Sequence, residues 1–385
     1  MVGPEHIVTL LTALRTNPFV KHFLLGNNLI GPNGALALAS YLKDFPNRIE
    51  TWYLAGCCID APSFKLFVDH VVRSSVCHSI WLKRNRLTSA AADDMAKMII
   101  RMKALRVLDI EQTEFGDKGA ERLFTLLHKD LSTDPQTLET LYLNADGIGQ
   151  NACLALSDYL SHPNCNLKNL YVGCNPIGDK GALALAPGLA KNTSLQRLML
   201  KSIGVKTAGA QAIFTALRDH PKLFTLDVGH AYTTRDLRGA RYNFIQDGAL
   251  KSLKEMLENL RTLRCFNLGI SAMSHSALDE LKPIVRESNL IYYRASSIYR
   301  TAVKSADGTR ARLEENMRAL YGKDVSYSQF LQGPFRFLIS EEDVRYIDSV
   351  YRNRDAQKAK RGEMELKKKW DDGDETLAQV SLVYD

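Results

Sequence analysis

Leu167-Lys-Asn-Leu170-Tyr-Val172-Gly-Cys-Asn175-Pro-Ile177 is the stretch of this sequence that decides the fold. The alternating middle, Leu170-Tyr-Val172, is typical of a short strand with one buried face and one exposed face. Asn175 follows where the strand ends, and an Asn side chain there can hydrogen-bond backbone groups that the strand no longer pairs. The stretch therefore predicts a strand that runs into an Asn-stabilised turn.

The same pattern, L-x-x-L-x-L-x-x-N-x-L, recurs along most of the chain. A second clear copy is Val20-Lys-His-Phe23-Leu-Leu25-Gly-Asn-Asn28-Leu-Ile30. The central core position of each copy falls at Phe23, Trp52, Ile80, Leu108, Leu141, Leu170, Leu198, Leu226 and Phe266. Most steps are 28 or 29 residues, and two are 33 and 40. A repeat of this length predicts a solenoid, because one unit cannot bury its apolar face without a stacked neighbour.

Several turns are followed by a glycine (Gly34, Gly119, Gly181 and Gly209), and then come small residues and leucines, as in Gly181-Ala-Leu183-Ala-Leu185-Ala186. This spacing predicts a helix whose apolar stripe packs on the strand layer. The turn position itself holds Asn28, Cys57, Asn85, Thr113, Asp146, Asn175 and Ser271, which all fit a tight turn. The same count places Ile203 and Ala231 in that position, so two distorted turns are expected.

This pattern closely resembles the ribonuclease-inhibitor-like class of leucine-rich repeats, also found in NOD-like receptors and in the GTPase-activating protein for Ran. The resemblance covers residues 20–294. It implies an α/β leucine-rich-repeat solenoid, or horseshoe, with a parallel concave sheet and convex helices. It implies a binding surface but no particular function.

The ends of the repeat array predict two further segments. Ile7, Leu10, Leu11 and Leu14 have helical spacing, so residues 1–19 are expected to form a capping helix over His6–Arg15. About nine repeats fill residues 20–295, ending in a half-repeat strand at residues 290–293. Residues 296–385 are expected to form a helical C-terminal extension that caps the solenoid and is mobile after about residue 358. Its apolar stripes are Leu313, Met317 and Leu320, then Val344, Ile347 and Tyr351.

The two long steps predict insertions. Residues 128–135 are rich in turn-forming residues and are expected to form a longer surface loop. Residues 231–243 alternate Arg235, Arg238 and Arg241 with tyrosines. Arg and Tyr are frequent at binding anchors, so this loop is a candidate for contact with a partner, and the alternative is an ordinary solvated loop.

Composition and motifs indicate a binding protein rather than an enzyme. The sequence has no Walker A, metal-spaced or nucleophile-elbow motif, so no cofactor, metal or catalytic residue is expected. It has no signal-like start and no long apolar span, and its seven cysteines lack paired spacing. These features predict an intracellular, cytoplasmic protein with free thiols. The net charge of +7 resides in the repeats and suits an acidic protein or nucleic acid, of which we favour protein.

The candidate binding face follows from strand alternation, because the residue between the last two core positions points outward. These residues are Leu24, Tyr53, Trp81, Asp109, Tyr142, Tyr171, Met199, Asp227 and Asn267, and Lys83, Arg84, Glu111 and Lys201 flank them. Four of the nine are large aromatics, which is typical of a binding hot spot. The alternative is that the rings only stack on one another and stabilise the sheet.

The sequence thus predicts a protein-binding scaffold or adaptor. One alternative is an activator of a small GTPase, although residues 296–385 carry sixteen basic and sixteen acidic residues and lack the acidic tail of the Ran activator. The other is a pathogen effector or an immune-sensor-like repeat protein. The partner's identity and the oligomeric state stay open.

Overall fold

A computed structural model of the chain describes residues 2–229 apart from 5, 132 and 134, and then 243–287, 291–293 and 296–297. The described chain forms two compact units. Unit 1 comprises residues 1–146 and 164–168, and unit 2 comprises residues 147–163 and those from 169 onward. The predicted C-terminal helices, and Arg235, Arg238 and Arg241 in the long insertion, lie outside the described residues.

Unit 1 alternates short strands with helices. The helices are α1 (His6–Thr16), α2 (Gly31–Asp44), α3 (Ala61–Val71), α4 (Ala92–Arg101) and α5 (Gly116–Leu131), with a 3-10 helix at Ser89–Ala91. The strands are β1 (His22–Leu24), β2 (Thr51–Tyr53), β3 (Ser79–Trp81), β4 (Val107–Asp109) and β5 (Thr140–Tyr142). These strands pair in parallel and in chain order.

Unit 2 repeats the same alternation. Its helices are α6 (Gln150–Ser161), α7 (Gly178–Lys191), α8 (Thr207–Leu217), α9 (Leu250–Asn259) and α10 (His275–Glu287), with a 3-10 helix at Asp247–Ala249. Its strands are β6 (Asn169–Tyr171), β7 (Arg197–Met199), β8 (Thr225–Asp227), β9 (Cys265–Asn267), β10 (Ile270–Ser271), β11 (Ile291–Tyr293) and β12 (Ser296–Ser297). A parallel sheet runs in the order β6-β7-β8-β9-β11, and β10 pairs with β12.

The strand–helix repeat and the core positions agree with the prediction. The central residue of every repeat strand from β1 to β9 is buried, with Phe23 the most exposed at 6%. The Trp52 ring lies edge-on to Phe23, Tyr41 and Phe67, with ring centroids 5.3, 6.2 and 5.9 Å away. Such edge-to-face contacts add to the stabilisation that burial provides. Strand β11 confirms the predicted half-repeat, whereas residues 296–297, expected to begin a helix, pair as a short strand.

Side chains at the turn position bind the backbone of two neighbouring repeats. The Asn85 amide nitrogen donates to Leu54 O and Leu82 O, both at 2.8 Å. Its amide oxygen accepts from the backbone N–H groups of Cys57 and Ile59. Asn85 is fully buried, so these bonds satisfy groups that water cannot reach.

The expected distortion of the turn at Ile203 is wrong, and Ala231 lies outside the described residues. The residue before the turn position is left-handed in each repeat from Asn27 to Ser202, and Ser202, before Ile203, has a φ of 51° like its counterparts. In the next repeat the turn role belongs to Asn243, not Ala231. Asn243 donates to Leu200 O and Val228 O at 2.8 Å and accepts from the Ile203 N–H at 3.0 Å. The insertion therefore lies between the strand and its turn residue, which displaces the Asn by twelve positions in the sequence.

The expected loop at residues 128–135 is also partly wrong. Helix α5 continues to Leu131, and both Leu127 and Leu131 are fully buried. The extra residues therefore extend the apolar stripe of the helix by one turn before the chain leaves it. Helix α5 therefore continues past its first turn-forming residues, because Leu131 still lies on the apolar stripe that packs against the core.

Helix α1 confirms the predicted N-terminal helix. Ile7, Leu11 and Leu14 are buried, whereas Leu10 lies at the margin of the apolar stripe with 36% exposure.

All seven cysteines are free thiols, as expected, and six of them are buried. Burial raises the pKa of the Cys77 thiol to about 12 and raises the pKa of Cys57 still further. These two thiols are therefore protonated and unreactive in the folded protein.

Candidate binding face

Three aromatic side chains form a continuous row on the outward side of the unit 1 sheet, which we call the strand face. The Trp81 ring lies 5.8 Å from Tyr53 and 5.5 Å from Tyr142, in both cases tilted. Trp81 is on β3 and Tyr142 is on β5, so their contact spans the intervening strand. That contact forms because β4 places the short side chain of Asp109 between them, where it is 1% exposed. The three rings of this aromatic row remain partly exposed.

Two features hold the rings in place. A Cβ atom on Gly26 would lie 2.5 Å from Cε1 of Tyr53, so the missing side chain makes room for that ring. The indole Nε1 of Trp81 donates to Ser79 Oγ at 2.8 Å on the same strand. Because the indole N–H bonds within the chain, the exposed part of Trp81 is mainly apolar ring.

An acidic pair lies beside the aromatic row. Asp109 Oδ1 accepts from the backbone N–H of Glu111 at 2.9 Å, and Glu111 accepts from the side-chain amide of Asn144. Lys83 Nζ is 4.0 Å from Asp109 Oδ2. Burial, with the nearby Glu111 carboxylate, raises the pKa of Asp109 to about 7, and burial also raises the pKa of Glu111. At neutral pH Asp109 is therefore only partly ionised.

The raised pKa predicts a pH-dependent effect of Asp109→Asn on stability. The folded protein keeps a proton on Asp109 up to about pH 7, whereas the unfolded chain releases it near 3.8. Charging Asp109 therefore lowers wild-type stability as the pH rises between these values. We expect the free energy of unfolding of Asp109→Asn, relative to wild type, to rise by roughly 2–3 kcal/mol between pH 5 and pH 8.

Urea denaturation of both proteins at the two pH values measures this difference. The buried His220 affects stability in the opposite direction. Its pKa is lowered to about 4, so the folded protein loses stability as the pH falls below about 6.5. His220 is common to both proteins, so its contribution cancels. Parallel stability curves for the two proteins would contradict the prediction.

Unit 2 repeats the aspartate and lysine arrangement on its own strand face. Asp227 is 6% exposed, and its Oδ1 accepts from the Gly229 N–H at 2.9 Å. Lys201 Nζ lies 3.0 Å from Asp227 Oδ2, and the Asn267 amide donates to the same oxygen at 3.1 Å. The outward residues Tyr171 and Met199 are partly exposed. Asp109 and Asp227 thus sit at the predicted outward positions but are covered.

The other predicted site residues are placed as follows. Leu24 continues the row on β1 and is 70% exposed. Arg84 occupies a left-handed turn position with a φ of 61°, and its Nε is buried without a hydrogen-bond partner among the described residues. Of the expected set, the structure brings together Tyr53, Trp81, Lys83, Asp109, Glu111 and Tyr142.

Sequence reasoning missed the residues that immediately precede the strands. In unit 1 these positions hold basic and acidic residues along the sheet edge, in the order Lys21, Glu50, His78, Arg106, Glu139 and Lys168. Lys168 Nζ lies 2.8 Å from Glu139, and Lys21 Nζ lies 3.6 Å from Glu50. In unit 2 the three positions before β7, β8 and β9 hold Gln196, Phe224 and Arg264 instead. Comparing this position across repeats would have revealed the contrast.

The described residues contain no His, Cys, Asp or Glu group arranged to hold a metal ion. Among the helices of that same part of the chain, none is long and apolar enough to cross a membrane.

Comparison with known proteins identifies the repeat. A family model described as a leucine-rich repeat matches residues 164–186. Human NACHT, LRR and PYD domains-containing protein 12 is 31% identical over 252 residues, covering 64% of this chain and 22% of that protein. Pig ribonuclease inhibitor is 24% identical over 311 residues, covering 72% of this chain and 67% of the inhibitor. The chain has a leucine-rich-repeat fold and is similar to ribonuclease inhibitor and to NACHT, LRR and PYD domains-containing proteins.

This leucine-rich-repeat protein spans about a fifth of the NACHT relative's length. A crystal structure of a Bacteroides fragilis protein aligns with a TM-score of 0.41 and 15% identity, over 72% of this chain and 74% of that one. That likeness is too weak to carry an argument. Relatives that share the repeat are described by their repeats or as an inhibitor of an enzyme, which fits a protein-binding scaffold.

Proposed function

We propose that this protein is a scaffold that binds a protein partner on the strand face of unit 1, with the aromatic row at the centre. The observation that carries the proposal is the position of Trp81. Its ring packs against Tyr53 and Tyr142 yet stays partly exposed, and Lys83 and Glu111 flank it. Ordered aromatic rings with charged neighbours are the usual composition of a protein-binding hot spot.

The relatives and the chemistry of the chain support this proposal. Pig ribonuclease inhibitor is named for its action on ribonuclease, which is itself a protein. Free, largely buried cysteines fit a reducing compartment, so we propose that the protein works inside the cell. The small-GTPase, effector and immune-sensor alternatives would each be a special case of partner binding.

Trp81→Ala tests the proposal. Once a partner has been captured from lysate and identified by mass spectrometry, its affinity for the variant is measured by titration. We expect a loss of about 2 kcal/mol, which is roughly 30-fold in Kd, because the exposed indole is the central anchor. The melting temperature should change little, since Trp81 is on the surface of the sheet rather than in the core.

Leu36→Ala provides the matched control. Leu36 is 54% exposed on helix α2, so its truncation removes a comparable exposed apolar side chain away from the strand face. The control should bind the partner like wild type. If Trp81→Ala lowers stability strongly while affinity is unchanged, the rings serve only to stabilise the sheet, and the proposal is wrong.

A further inference from the structure

The excess positive charge of the chain is confined to one segment. Residues 1–146 carry sixteen basic and sixteen acidic side chains, whereas residues 147–295 carry eighteen basic and eleven acidic ones. Residues 296–385 are balanced. The net charge of +7 therefore belongs to residues 147–295, which form most of unit 2 and contribute Lys168 to unit 1.

Four exposed cations gather at the edge of the unit 2 sheet where the strands begin. This basic edge consists of Arg197, Lys222, Arg261 and Arg264, which lie at or shortly before the first residues of β7, β8 and β9. None of the four has an acidic side chain within 4.0 Å among the described residues. At the same edge of unit 1, by contrast, Glu50 and Glu139 pair with the neighbouring cations.

Internal contacts orient the two central guanidinium groups. The Arg197 guanidinium carbon lies 5.0 Å from the centre of the Phe224 ring, a cation–π contact. Arg264 Nη1 donates to Arg261 O at 2.8 Å and to Leu263 O at 3.0 Å. Both side chains are thus held in place. The other N–H groups of the two guanidinium groups make no hydrogen bond with the described residues.

A counterpart in unit 1 shows what the basic edge lacks. Arg106 Nη1 makes the same two backbone bonds, to Lys103 O and Leu105 O. Its Nε lies 3.9 Å from Glu139 on the next strand, which supplies the counter-charge. In the sequence the position equivalent to Glu139, before β11, holds Leu290, and the positions before β8 and β7 hold Phe224 and Gln196. Arg264 thus has the same backbone bonds as Arg106 but no acidic side chain within 4.0 Å among the described residues.

We propose that the basic edge binds an acidic segment of a protein partner. Arg197 begins β7, and Arg264 immediately precedes β9, two strands away, so their backbones are about 10 Å apart, a distance that three extended residues span. Guanidinium forks match carboxylates in bidentate geometry. Nucleic acid binding draws on many phosphate contacts, whereas four cations suit a short acidic peptide. This inference rests on the proposed function only in taking the ligand to be a protein.

Fluorescence anisotropy with labelled decaglutamate tests the inference on the full chain at low salt, because screening weakens exposed contacts. We expect the double variant Arg197→Gln with Arg264→Gln to bind at least roughly tenfold more weakly than wild type. The matched control, Lys180→Gln with Lys251→Gln, removes the same charge from exposed positions on helices α7 and α9 of unit 2. That control should stay within about twofold of wild type.

Arg197→Lys keeps the positive charge but cannot bind a carboxylate in bidentate geometry. Its affinity for decaglutamate should fall by an intermediate amount, and this result does not depend on any folding defect of the double variant. Equal losses in the edge and control variants would show general charge attraction and overturn the inference. So would an absence of decaglutamate binding, or tighter binding of a single-stranded DNA oligonucleotide with the same dependence on the edge. Trp81→Ala should bind decaglutamate normally, so a failure here and a failure of the strand-face proposal are distinguishable.

Discussion

Replacing Asn243 with alanine is expected to lower the free energy of unfolding by roughly 3–5 kcal/mol. The side chain is 4% exposed and bonds the backbone of three residues, Leu200, Val228 and Ile203. Alanine leaves two carbonyl groups and one N–H group buried without these partners, and each carries a desolvation cost. Chemical denaturation of the variant and the wild type measures the loss.

Asn259→Ala is the matched control, because its amide donates to Glu255 O at 2.7 Å on an exposed surface. Water replaces that bond, so the loss should stay below about 1 kcal/mol. Asn243→Asp keeps the acceptor for Ile203 but loses both donors, and it should destabilise the protein too. A loss below about 1 kcal/mol for Asn243→Ala would show that Asn243 does not hold this turn.

Gly188→Ala is expected to destabilise the protein by about 3 kcal/mol or more. The added methyl group would meet backbone atoms, which cannot move aside by a change of rotamer. A Cβ atom at this position would lie 2.3 Å from Ser157 O and 2.5 Å from Ser157 Cα. The Gly188 N–H also donates to Ser157 Oγ at 2.8 Å, so helices α6 and α7 are joined at this point. The added methyl group would force the helices apart.

The sign of this effect is informative, because helix propensity alone predicts that Gly→Ala stabilises a helix interior by about 1 kcal/mol. Gly178→Ala is the control at the start of the same helix. Gly178 has a φ of 60° and no atom within 4 Å of an added Cβ, so only the backbone strain of about 1–2 kcal/mol applies. Thermal melts of the two variants separate close packing from strain. A stabilised Gly188→Ala protein would contradict the close contact.

Most of the repeat could be predicted from its spacing. The sequence pattern around Leu170 predicted the strands, the buried positions and the helices that follow the turns, because these features depend on residues a few positions apart. The count failed at Asn243, where an insertion separates the strand from its turn residue. The sequence did contain a signal, since Asn243-Phe-Ile245 has the same form as Asn175-Pro-Ile177. A fixed count from the strand passed over it.

Part of the candidate site could be predicted in the same way. Strand alternation identified Tyr53, Trp81 and Tyr142 as outward residues, and the structure places them in one row. It did not reveal that Trp81 reaches Tyr142 across β4, or that Asp109 between them is covered. Those contacts depend on the size of the side chain on the intervening strand, 28 to 33 residues away in the sequence.

The sequence by itself determined the repeat length, the strand–helix alternation and which side chains face outward, because each follows from periodicity among near neighbours. Only the tertiary structure decided which outward groups are accessible and which charges are paired. Arg106 and Arg264 have the same local sequence role and the same backbone bonds, yet Arg106 faces Glu139, whereas Arg264 has no acidic side chain within 4.0 Å in the part of the chain that the structure describes. The difference arises because stacking brings residues from separate repeats into register, and the ion pair depends on both members of that contact.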